Sequence, residues 1–163
     1  MAATTSTPPA ALTEDLAWLL GRASHNLNTE ITAALEGIGL QPRAHCVLRG
    51  ALEGEYTQID LARISGIDKT TMVTLLDELE AAGLAERRPA PDDRRKRVIA
   101  VTKEGKAKVR EADKVVQRVR DDVLSALPAG ERDAFMHALA KLTCDRLSEP
   151  TACMAAPRRP RTG

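Results

Sequence analysis

From residue 12 to residue 147, apolar side chains return at three- and four-residue steps, the period of helices that bury one face. Leu12, Leu16, Leu19, Ala23, Leu27, Ile31 and Ala34 form the first stripe, about six turns long. Thr13 is its expected N-cap, with Glu14 and Asp15 in the first turn where the helix dipole favours acids. Gly37 and Gly39 end it, and Pro42 opens a second helix that runs to about Leu52 before Gly54. A third starts at Thr57, with Asp60 at capping-box spacing, and stops at Gly66. Asp68 then caps a fourth, whose stripe of Met72, Leu75, Leu76, Leu79 and Ala82 is expected to face inward and which Gly83 ends.

The period then changes. Leu84–Arg88 and Val98–Val101 read as two strands of a hairpin, with Pro89 and Pro91 expected to keep the connecting loop out of the ladder. Thr102 caps a long fifth helix carrying Val109, Ala112, Val116, Val119, Val123 and Leu127, closed by Pro128. A sixth carries Phe135, Leu139, Leu142 and Leu147. The fold is thus expected to be mostly α with a small β-hairpin wing: a winged helix-turn-helix at 42–102. Helices at 12–37 and 103–147 are left needing a partner surface, which reads as a dimerisation lobe in a homodimer. Residues 1–11 and the proline- and arginine-bearing 148–163 read as disordered, the latter a basic tail.

Charge sharpens the picture. Overall the chain is close to neutral, 24 basic against 23 acidic residues, yet from Ala85 to Lys108 nine basic side chains face four acids. A +5 excess on a hairpin beside a helix-turn-helix suits a phosphate-tracking surface and makes double-stranded DNA the expected partner. Trp18, Tyr56 and Phe135 are the only aromatic residues, too few for a base-stacking, single-strand mode. Three irregularly spaced cysteines make no disulfide framework and point to a reducing, cytoplasmic setting. Neither a signal peptide nor an apolar run of membrane-spanning length is evident. No metal spacing, phosphate loop or nucleophile elbow supports a metal, a cofactor or an enzyme.

Three segments in order, GLQPRAHCVL (39–48), DKTTMVTLLDELEAAGLAERR (68–88) and DDRRKRVIAVTKEG (92–105), resemble the MarR family of bacterial transcription regulators. The resemblance covers about residues 12–147. It implies a homodimer whose recognition helices enter successive major grooves about 34 Å apart. It also implies repression relieved by a small phenolic or aromatic acid held between the dimer and DNA lobes.

On this reading the recognition helix offers Lys69, Thr70, Thr71 and Thr74 to the major groove, opposite its buried stripe. Thr70 and Thr71 can also be read simply as favourable first-turn residues. Many family members carry an arginine near Thr74 or Leu75, whereas this chain has no basic residue between Lys69 and Arg87. At the wing, Arg95 is expected in the minor groove, held by Asp93, with Arg94, Lys96 and Arg97 on phosphates. The implied ligand site draws on Trp18, Arg22, His25, His45 and Arg49; the alternative is a core role for His45 and an interface salt bridge for Arg22. Cys46 reads as a small buried core residue. Redox sensing through Cys46, Cys144 or Cys153, and a winged helix used only for protein contacts, are the competing functions.

Overall fold

A computed structural model describes residues 8–149. Of these, the residues through Asp121 form one compact unit and those from Asp122 a second. A single helical turn, α1 (Ala10–Thr13), comes first, taking in Ala10 and Ala11 from the stretch expected to be unstructured. The chain then breaks, and α2 (Leu16–Leu35) is capped by Asp15, whose carboxylate accepts from the Trp18 N–H at 2.8 Å. Thr13 is therefore not the cap: its hydroxyl donates back to the Ala10 carbonyl. A 3-10 turn (Glu36–Ile38) leads to α3 (Pro42–Ala51), with proline at the first helical position as expected.

Next come α4 (Gln58–Ser65), α5 (Lys69–Ala81), strands β1 (Ala85–Pro89) and β2 (Arg97–Val101), and α6 (Lys103–Ser125), which crosses the unit boundary. The second unit contains α7 (Ala129–Cys144). The two strands pair antiparallel, Ala85 opposite Val101 through Pro89 opposite Arg97. Pro89 is thus the last rung of the ladder, not part of the loop. A terminal position tolerates it because the missing N–H interrupts nothing beyond.

One core fills the first unit. Leu35 of α2, Val47 and Leu48 of α3, Leu61 of α4, Met72 and Leu76 of α5, Ile99 of β2, and Val109 and Ala112 of α6 are all buried together. These positions are the inward members of the stripes. The inner stripe of α5 stops at Leu79; Ala82 is exposed because it is the C-cap, where the helix has already turned. Other stripe residues find no cover among the described residues. Leu16, Leu19 and Leu27 of α2 lie in solvent, as do Phe135 and Leu142 of α7 and Leu147 beyond it. Among the described residues, no helix is long and apolar enough to cross a membrane.

Candidate nucleic-acid interface

Two local devices set the helix-turn-helix. At the start of α4 the Thr57 N–H donates to the Asp60 carboxylate (3.0 Å) while the Asp60 N–H donates to the Thr57 hydroxyl oxygen (3.2 Å). The Thr57 hydroxyl also donates to that carboxylate at 2.7 Å. At the start of α5, Asp68 accepts from both the Thr71 N–H (2.9 Å) and the Thr71 hydroxyl (2.6 Å). Both carboxyls are held below the usual aspartate range, Asp60 chiefly by the Thr57 hydroxyl and Asp68 chiefly by the Thr71 hydroxyl. Between them Gly66 takes φ 62°, a left-handed conformation that side-chain-bearing residues resist, and so turns the chain sharply into α5.

With Met72, Leu75, Leu76 and Leu79 buried, α5 turns Lys69, Thr70, Val73 and Thr74 outward and leaves Thr71 half-buried. The hydroxyls are not equally free. That of Thr71 is engaged by Asp68, and that of Thr74 donates to the Thr70 carbonyl at 3.3 Å. Thr70, Thr71, Thr74, Leu75 and Glu78 line a depression of about 280 Å³ together with Gln41 and Arg43 from the start of α3. Arg43 thus brings a guanidinium beside a helix that has none of its own. Its exposed place one residue after Pro42 carried no sequence sign of that neighbour, because the two meet only through the packing of α3 on the helix-turn-helix.

The wing is built by backbone bonds. The Asp93 carboxylate accepts from the Arg95 N–H (2.9 Å) and the Asp93 carbonyl from the Lys96 N–H (2.9 Å). The Ala90 N–H donates across the loop to the Lys96 carbonyl (2.9 Å). Asp93 therefore fixes the turn through the Arg95 backbone, and leaves the guanidinium unclaimed. Arg94, Arg95, Lys96 and Arg97 are all exposed, and among the described residues none makes an ion pair within 4.0 Å. Three other members of the basic run are spent elsewhere, while Lys103 and Lys106 at the start of α6 are exposed and make no ion pair among the described residues. Arg87 clamps Glu80, Asp77 (2.8 Å) and Gln58 (3.4 Å), Arg88 pairs with Glu86, and the Lys108 ammonium donates to the Ile38 carbonyl (2.8 Å). The free charge is concentrated at the tip.

At the wing's base, the Thr102 hydroxyl donates to the Gly83 carbonyl (2.7 Å) and accepts from the Gly105 N–H (2.9 Å). The Ile99 N–H donates to the Tyr56 carbonyl (2.9 Å), so β2 is tied to the entry of α4 as well as to β1. The end of α5, the entry of α4 and the wing are consequently tied together by hydrogen bonds at several points.

A MarR-family model matches residues 38–96, from the end of the 3-10 turn to the wing tip. Over that segment the winged helix-turn-helix is similar to the MarR family. Solved structures agree in fold along most of the chain. CouR from Rhodococcus jostii RHA1, solved with p-coumaroyl-CoA, is 29% identical with a TM-score of 0.75, over 89% of this chain and 99% of that one. The transcriptional repressor CouR bound to a 23-mer DNA duplex is 28% identical with a TM-score of 0.76, over 85% and 99%. A MarR family protein of Mycobacterium tuberculosis, solved with p-aminosalicylic acid, is 29% identical with a TM-score of 0.67, over 78% and 98%.

The five residues expected around a MarR-type ligand are not gathered at one cavity. The Arg22 guanidinium lies over the Trp18 ring, 5.5 Å from its centroid, on α2. His25, a turn further on, lines an open depression of about 720 Å³ with Asn28, Thr29, Thr32, Glu36 and Gln41 among others. His45 is buried, 6% exposed, and its Nε2 lies 2.8 Å from the Asp113 carboxylate of α6. Arg49 stands 3.6 Å from the same oxygen. Asp113 was invisible to sequence reasoning, since it lies 68 positions from His45 with no local motif joining them. Cys46 is exposed, contrary to its expected core position, because on α3 the buried face passes through Ala44, His45, Val47 and Leu48. Cys144 is exposed as well, and Cys153 and the basic tail from Pro150 lie outside the described residues.

Proposed function

We propose that this chain is a homodimeric, sequence-selective duplex-DNA-binding regulator, acting as a repressor that a small aromatic acid releases. One observation carries the DNA reading: the exposed face of α5 is tied by hydrogen bonds to a wing tip whose four cations make no ion pair among the described residues. Lys69, Thr70 and Thr74 then meet base edges in the major groove while Arg95 enters the minor groove and Arg94, Lys96 and Arg97 neutralise phosphates. Thr71 and Asp93 serve by shaping, one capping α5 and the other fixing the wing turn. The structure of CouR on duplex DNA supports the assignment by similarity.

The homodimer rests on uncovered apolar side chains at the terminal helices, Leu16 and Leu19 in one unit and Phe135 and Leu142 in the other. A second copy that covers them makes residues 12–37 and 103–147 the dimerisation part and residues 42–102 the DNA part. The effector reading rests on p-coumaroyl-CoA and p-aminosalicylic acid, bound by relatives. On this chain Trp18, Arg22 and His25, along α2, are the groups we assign to an aromatic acid, since His45 and Arg49 already share Asp113.

Fluorescence anisotropy with a duplex enriched from a random pool tests the reading. Binding should weaken steeply with salt, and Arg95→Ala should lower affinity at least tenfold without changing the sedimentation of the protein. Unchanged affinity removes the wing from the mechanism, and absence of any enriched duplex removes DNA binding altogether. Titration of salicylate-type acids should quench Trp18 and release the duplex together.

A further inference from the structure

The outer face of α5 is poor in groups that read bases by paired hydrogen bonds. Paired hydrogen bonds to guanine or adenine come from arginine, lysine, asparagine or glutamine. Between Lys69 and Ala81 the helix has one such residue, Lys69, at its first position. The Thr71 hydroxyl donates to Asp68 and that of Thr74 to the Thr70 carbonyl, so two of the three threonine protons are already placed. Further along the same face, Asp77 is held by Arg87.

Among these exposed polar groups one large side chain is apolar. Val73 is 40% exposed, one of the few large hydrophobic side chains on the helix-turn-helix left in water. It lies one turn from both Lys69 and Asp77, on the flank of the helix between the buried stripe and the outward Thr70 and Thr74. A valine here does nothing for the core, and its β-branch slightly disfavours the helix. In the major groove, the one apolar feature a base pair presents is the C5-methyl group of thymine.

We propose that Val73 reads thymine by packing its isopropyl group on that methyl, so that selectivity at this step of the site is for a methyl and not for a hydrogen-bond pattern. The inference rests on the DNA-binding reading above and assigns the chemistry that α5 recognises. The threonine methyls of Thr70 and Thr74 border the same contact, while Lys69 and Arg43 supply charge at its edges.

Deoxyuridine differs from thymidine only by that methyl, which makes the test direct. From the tightest duplex enriched by the purified full chain, each half-site thymine is replaced singly by deoxyuridine and binding is measured. At one thymine per half-site the affinity should fall about fourfold, the factor for one methyl-sized group returned to water, and about fifteenfold when both half-sites are changed. Val73→Ala, at an exposed position that leaves folding intact, should weaken binding to the thymine duplex and abolish the deoxyuridine penalty. Val73→Thr, which keeps a methyl at the same branch, should retain part of it. Two results overturn the proposal while leaving DNA binding standing: tight binding with no deoxyuridine penalty anywhere, or a full penalty that persists in Val73→Ala. Failure to enrich any duplex overturns both it and the reading beneath it.

Discussion

Gly105→Ala tests how closely the wing's base is packed on α6. Gly105 sits in the first turn of α6, where alanine gains about 1 kcal/mol over glycine in helix propensity. On propensity alone the variant is stabilised. The structure says otherwise, because a Cβ built on Gly105 lies 2.0 Å from the Leu84 carbonyl oxygen and 2.7 Å from Val101 Cγ1. An ordinary carbon–oxygen contact is about 3.3 Å, so the gap must open by more than an ångström. The obstructing atom is backbone, and it is held: the Thr102 N–H donates to that same Leu84 carbonyl at 3.1 Å, and the Leu84 N–H donates to Leu79 at 2.9 Å. Overpacking against so fixed a neighbour belongs at the upper end of its range, about 3 kcal/mol. The net effect is therefore a loss of about 2 kcal/mol, or a fall of about 4–8 °C in Tm for a chain of this size. Thermal unfolding followed by circular dichroism reads this directly. A Gly105→Ala variant that melts at or above the wild-type temperature refutes the close approach and leaves propensity as the deciding effect.

Asp113→Ala leaves the buried His45 imidazole without its partner and should cost about 1–3 kcal/mol in urea denaturation; an unchanged midpoint means the bond contributes nothing. The lowered pKa values of Asp60 and Asp68 give a signed acid response. Their stabilisation is complete above the ordinary aspartate value of about 3.9 and is lost as the pH falls through the lower folded-state values. Thr71→Val removes the main cause at Asp68, so urea midpoints measured from pH 6 downward should fall less steeply with acid than those of wild type. Parallel curves contradict the assignment. Arg87→Ala should free the Asp77 and Glu80 carboxylates of α5 itself and weaken duplex binding severalfold, most clearly at low salt. Equal affinity at low salt would show that the clamp has no electrostatic part in binding.

Sequence alone determined the elements that depend on near neighbours. The helix-turn-helix was legible because a capping box, an N-cap and a left-handed glycine act within a few residues, and because a buried stripe repeats at helical spacing. The hairpin, with its cluster of cations, was legible for the same reason. The start of α2 was misread by two residues because Thr13 and Asp15 are both competent caps, and only the break after α1 selects Asp15. Cys46 was misplaced because small thiols suit both faces of a helix.

Tertiary structure alone decided which charges are free and which are spent. Arg87 and Arg95 look equivalent in a basic run, yet Arg87 is held by carboxylates from α5 while the Arg95 guanidinium makes no ion pair among the described residues. The same holds for Arg43 beside the recognition helix, for Asp113 on His45, and for the single atom's width between Gly105 and Leu84. Each is a contact between segments far apart along the chain. Local periodicity carries no distance between such segments, and only their packing into one core fixes which side chains meet.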